Sequence, residues 1–218
     1  MSLLKPSQAR IADDVLLDGR LALFHEREQW LAVADLHFGY EVSQRAAGRL
    51  MPMWGMNSVR DRLLALLADY RPRQLVLVGD LVHDRAAASE LQRLFAELGR
   101  TCELIALAGN HDRQLVNVVE LRDSWQTDGF HFHHGHCTAE PSHRTQIIGH
   151  HHPASTIADG AGLRLKLPAF VQQSTCWILP AFSPWASGTQ WTRDAESHVW
   201  VCSPQRVIRL PDLEPVGA

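Results

Sequence analysis

Five short stretches gather side chains that can hold a metal ion or move a proton. They are Asp35-Leu36-His37, Gly79-Asp80-Leu81-Val82-His83-Asp84, Gly109-Asn110-His111-Asp112, His133-His134-Gly135-His136 and Gly149-His150-His151-His152. Four of them follow apolar runs: WLAVA (30–34), QLVLV (74–78), ELIALA (103–108) and TQIIG (145–149). A lone Asp after a strand is ordinary turn chemistry, and an Asn-His pair is often only a loop. Four clusters at run exits, all drawn from Asp, Asn and His, exceed what turns explain. Strand ends are also where α/β folds collect ligand sites. Oxygen and imidazole donors without thiolates suit Mn²⁺, Fe or Zn²⁺ better than a structural zinc.

In extended chain, residues i and i+2 share a face. Asp35 and His37 can then reach one ion while Leu36 packs away, and His150 and His152 converge with His151 turned aside. In Phe130–His134 the two phenylalanines and His134 share a face. With the phenylalanines toward the core, His134 points inward and His131 and His133 face solvent. Eight of the thirteen histidines fall between Phe130 and Pro153. Their density alone does not separate a metal-scavenging tract from defined seats.

The remaining strand-like runs are LALF (21–24), WILPAF (177–182) and HVWVC (198–202). One amphipathic helix is expected from about Asn57, its N-cap, with Val59, Leu63, Leu66 and Leu67 at helical spacing. Another covers roughly 87–98, with Leu91, Leu94, Phe95 and Leu98 on one face and Gly99 as the stop. The first half alternates strand and helix and the second half is richer in strand and turn. That order favours an α/β sandwich with mixed sheets over a doubly wound parallel fold. At 218 residues and 45% hydrophobic composition, without repeat or linker, one domain over 1–218 is expected.

The 21 basic and 24 acidic residues give a net charge of −3, which excludes a broad electrostatic footprint for nucleic acid. All the basic residues except Lys5 and Lys166 are arginine, a bias that suits phosphate but that codon composition explains at least as well. The N-terminal MSLLKPSQARIADD lacks a secretory h-region, and no apolar run approaches the roughly 18 residues that cross a bilayer. Cys102, Cys137, Cys176 and Cys202 are scattered without a C-x-x-C pair and read as reduced thiols. Together these point to a cytoplasmic protein without a membrane partner.

The ordered motifs ADLHF, GDLVHD, AGNHD, FHHGHC and GHHHP resemble those of the calcineurin-like metallophosphoesterase superfamily. LHFGYE (36–41), GDLVHD and LPAFSPWASG (179–188) are similar to a prokaryotic subgroup. It holds archaeal SbcD-related phosphoesterases and the ligase-associated DNA-damage-response endonuclease PdeM. The resemblance spans roughly residues 15 to 190. It implies an α/β/β/α sandwich of two mixed sheets flanked by helices, and two divalent ions, Mn²⁺ first, with Fe, Zn²⁺ or a mixed pair as alternatives. Asp35, His37 and His152 would hold one ion, Asn110, His134 and His150 the other, and Asp80 would bridge them. Two ions about 3.5–4 Å apart clamp the attacking and leaving oxygens of an in-line displacement and bring a water toward a pKa near 7.

By the same resemblance His111 would bind the phosphate and protonate the leaving oxygen, with Asp112 orienting its imidazole. His83 stands where the commoner motif has Asp; it would line the substrate pocket or bond a ligand. His136 is left unassigned. The implied function is hydrolysis of phosphodiesters in nucleic acid or nucleotides, with DNA-repair helicase or ligase partners. The alternatives are a phosphomonoesterase on a small molecule or phosphoprotein, and a non-catalytic interaction module. The loops at 38–56 and 183–193 would set pocket openness, and Trp54, Trp185 or Trp191 exposed there could stack on a base.

Overall fold

The computed structural model describes residues 4–83, 85–115, 118–137, 143–158 and 160–212, so Asp84 lies outside it. Two mixed sheets flanked by helices build the fold. The first sheet has the order β1 (Gln8–Ala12), β2 (Val15–Asp18), β3 (Ala22–His25), β4 (Trp30–Ala34), β5 (Gln74–Val78), β6 (Glu103–Leu107). Its first four strands form an antiparallel meander, and β4, β5 and β6 run parallel. Parallel neighbours need crossover connections. Helices α1 (Tyr40–Ala46) and α2 (Gly55–Tyr70) join β4 to β5, and α3 (Ala88–Leu98) joins β5 to β6. The three parallel strands therefore end at one edge of the sheet, and their exits carry Asp35, Asp80 and Asn110.

The second sheet takes β7 (Ser124–Gln126), β8 (Phe130–His133), β9 (Thr145–Ile148), β10 (Pro153–Ala158), β11 (Arg164–Gln172), β12 (Cys176–Ile178), β13 (Thr189–Gln190), β14 (His198–Cys202) and β15 (Val207–Arg209). Parallel β8, β9 and β12 lie side by side, so the exits of β8 and β9 deliver His134 and His150 to the same level. Both faces of this sheet are covered along these strands. Phe132, Ile147, Phe170 and Trp177 join the main core with Trp30 and the α2 and α3 leucines. Ile148, Ala169, Val171, Ile178 and Val199 form a smaller cluster behind, closed by Trp191 and Leu210. Trp30 meets Phe130 and Phe132 edge-on at 5.3 and 5.0 Å, locking the two sheets together.

Six of the seven strand-like runs of the sequence are strands over most of their length, WILPAF is strand only at Trp177 and Ile178, and both expected helices form. Three particulars differ. Helix α2 starts at Gly55, two residues before Asn57, because the buried Glu41 carboxylate takes the Met56 N–H at 2.7 Å and caps the helix from α1. The 38–56 segment is not all loop, since it contains α1. His131 is buried rather than solvent-facing, flanked on its face of the sheet by its cross-strand neighbours Gln126 and Gln146 and by His133.

Candidate metal centre

The strand exits are kinked, and the kinks aim the side chains. Asp35, His37, Asp80, His150 and His152 all have positive φ, between 41° and 66°. Left-handed backbone at non-glycine residues is costly and clusters at functional sites. The i, i+2 convergence expected from extended chain is therefore reached by another route, a left-handed residue at each end of Asp35–His37 and of His150–His152. Two glycines permit the close approach. Gly79 has φ 68°, and a Cβ there would come within 2.2 Å of the His134 ring. At Gly109 a Cβ would come within 2.1 Å of the Asp80 nitrogen.

Backbone bonds hold the exits in register: His37 N–H donates to Asp80 O at 2.9 Å and Gly149 N–H to His134 O at 3.2 Å. The Asp35 carboxylate accepts the His150 N–H at 3.0–3.1 Å, tying the two sheets at the site. Asp80 Oδ1 accepts the His111 N–H at 3.0 Å.

The outcome is two donor clusters, one of Asp35, His37, Asp80 and His152 and one of Asp80, His134 and His150, each with its ligand atoms within 4.8 Å of one another. Asn110 joins the second, its Oδ1 3.1 Å from His134 Nε2. Asp80 belongs to both. Ligand-capable atoms converge here on one another: His37 Nε2 lies 3.3 Å from His152 Nε2, and His152 Nε2 lies 3.5 Å from Asp35 Oδ1. His134 Nδ1 faces the Val78 carbonyl at 3.4 Å, which can only accept, so Nε2 is left with its lone pair toward Asp80 and Asn110. Such a donor set fits divalent cations.

The electrostatics agree. Burial, aided by His152 and His111 and opposed by Asp35 and Asp80, pushes the His37 imidazole down to about 4. At neutral pH it is thus the uncharged, lone-pair form. Burial and the neighbouring His134 and His151 lower His150 as well. Burial works against the Asp80 carboxylate, yet the adjoining His134 ring and the His111 N–H, with His37 nearby, hold it well below the usual range.

The sequence-nominated residues divide clearly. All seven nominated ligands meet. His111 lies beside them, its ring 5.5 Å from His37 and stacked on His83 at 5.5 Å. His83 also meets Tyr40 edge-on at 4.7 Å. These rings, with His152, Ser183 and Trp185, line a cleft of about 240 Å³. The Asp112 carboxylate bonds backbone amides: Oδ1 accepts Leu81 and Val82 N–H at 2.9 and 3.3 Å, and Oδ2 accepts Gly109 N–H at 2.8 Å. It clamps the β5 exit to the β6 exit. Burial is the chief cause of its rise to about 6. His136 is exposed, 5.2 Å from the His134 ring, in a second cavity of about 350 Å³ with Arg113 and Gly109. His143 and His151 are exposed, and His133 bonds Gln146 at 3.0 Å. Trp191 packs on the smaller cluster, away from the cleft. The residue that sequence reasoning missed is Tyr40, whose place on the cleft wall comes from α1.

Two oxygen-and-imidazole clusters sharing one carboxylate, at the strand exits of a two-sheet sandwich, define a candidate dinuclear metal site. The chain belongs to the calcineurin-like phosphoesterase family, whose profile matches residues 30–165, a span that includes every nominated ligand. The crystal structure of Pseudomonas putida nuclease MPE is similar in fold, with a TM-score of 0.72 over 90% of this chain and 94% of that one at 24% sequence identity. No curated protein matches the chain. Among the described residues no helix is long and apolar enough to cross a membrane.

Proposed function

We propose that the protein is a dinuclear-metal phosphodiesterase acting on nucleic acid or nucleotides. The observation that carries this reading is the pair of donor clusters meeting at Asp80. When bound, the ions supply hydroxide at neutral pH and draw charge from the phosphate. Asp35, His37 and His152 would hold one, Asn110, His134 and His150 the other, with Asp80 common to both groups. Mn²⁺ is the ion proposed first for this set. His111 faces the cleft and gives a proton to the leaving oxygen. His83, stacked on it, keeps that ring from rotating away and borders the bound substrate. Asp112 fixes the loops carrying Asp80 and Asn110.

A diester rather than a monoester fits the open cleft at His37, His111 and His152, with a second cavity nearby at Gly109 and His136. A phosphodiester needs room for two substituents, a monoester for one. The nuclease of similar fold agrees with a nucleic-acid substrate, and DNA-repair partners and a cytoplasmic location are proposed only with it.

The test is hydrolysis of bis-p-nitrophenyl phosphate with Mn²⁺ by wild type and His111→Ala, with bound metal measured in both. The reading expects wild-type turnover, and loss of about 10²–10⁴-fold in the variant at unchanged metal content. Faster turnover of p-nitrophenyl phosphate would favour the monoesterase. No turnover of either ester with two metals bound would favour the interaction module.

A further inference from the structure

The cleft beside the first donor cluster has an aromatic wall that holding a cation does not explain. The Trp54 and Trp185 rings meet at 4.5 Å and 40°, and Tyr40 continues the row 6.5 Å from Trp185. Trp185 and Tyr40 line the same cleft as His37, His111 and His152. Trp54 is 48% exposed, whereas Trp30, a tryptophan serving the core of this chain, is fully buried.

The wall is held in place. Glu41, 1% exposed, accepts Trp185 Nε1 at 2.9 Å with the same carboxylate that caps α2. Trp185 therefore has its one polar atom satisfied inside the protein, on the edge of the ring, and Trp54 extends its surface into solvent. Base–aromatic stacking needs only such a ring face and is indifferent to base identity. The net charge of −3 also favours recognition by stacking over recognition by many phosphate contacts.

We propose that Trp54 and Trp185, with Glu41 as positioning residue, form a platform for the nucleobase next to the scissile phosphate. The substrate class is then a phosphodiester flanked by an unpaired base, because a base inside a duplex offers its faces to its neighbours. This rests on the phosphodiesterase reading above.

The test compares two esters with one leaving group, thymidine 5′-(p-nitrophenyl phosphate) and methyl p-nitrophenyl phosphate, under saturating Mn²⁺. Wild type prefers the thymidine ester in kcat/KM. In Trp54→Ala and in Trp185→Ala that preference falls about tenfold through KM, as loss of one base–aromatic stack entails. Trp54→Phe keeps most of it, and Glu41→Gln lowers it through KM rather than kcat. An unchanged preference in both alanine variants overturns the platform. If wild type hydrolyses neither ester, the phosphodiesterase reading fails and tryptophan fluorescence still decides the platform. Quenching by thymidine 5′-monophosphate that methyl phosphate does not give, and that Trp54→Ala diminishes, supports it; equal or absent quenching overturns it.

Discussion

Asp112→Asn separates a carboxylate that clamps loops from one that orients the His111 imidazole. In the wild type one buried side chain satisfies three backbone amides, those of Leu81, Val82 and Gly109, from its two oxygens. An amide keeps a single oxygen. It can serve Leu81 and Val82 or Gly109, and its own NH₂ then faces the N–H left over. One buried amide loses its partner, at about 1–3 kcal/mol. Part of this is offset, because burial already disfavours the charge and holds the carboxyl near 6. A net loss of about 2 kcal/mol lowers Tm by about 4–8 °C in a chain of this size. The loops so loosened carry Asp80 and Asn110, and Mn²⁺ affinity should fall about 10–100-fold. Scanning calorimetry and a calorimetric Mn²⁺ titration read both quantities. Wild-type values for both, with only the pH–rate profile altered, would refute the clamp and restore the orienting role.

Stability should depend on Asp18, far from the metal centre. Burial opposes ionisation of this carboxyl, but hydrogen bonds from Arg20 and Tyr70 lower it below the ordinary value of 3.8. Its folded-state value is depressed, so the stabilisation is present above about pH 4 and is lost as pH falls through the folded value. Urea midpoints should drop below pH 4 in wild type and less so in Asp18→Asn; parallel curves would contradict this. His143→Ala and His151→Ala should keep wild-type stability and two metals per chain by mass spectrometry. His133→Ala should lose about 1 kcal/mol with its Gln146 bond and also keep both metals; metal loss in any of the three would show a larger ligand set.

The strand exits were legible in the sequence because each apolar run ends abruptly in Asp, Asn or His, and burial writes a strong pattern. Strand β11 carries no such pattern: Arg164, Lys166 and Pro168 interrupt it, and its first half is exposed. Helix α1 has seven residues and no side-chain cap, and α2 is capped by Glu41 from another helix, a partner no local motif announces. The clustered Asp, Asn and His residues were readable by type, but not the left-handed backbone that aims them. The amide contacts of Asp112 were not legible because adjacency to His111 in sequence says nothing about three amides brought to it by two different strands. His131 was misjudged because periodicity gives the faces of a strand and not whether the second face is covered.

The most direct test of the account is anomalous diffraction from crystals grown with Mn²⁺. Two peaks are expected about 3.5–4 Å apart. One should lie against Asp35, His37 and His152, the other against Asn110, His134 and His150, with Asp80 touching both. A single peak, or two peaks that do not share Asp80, would contradict it.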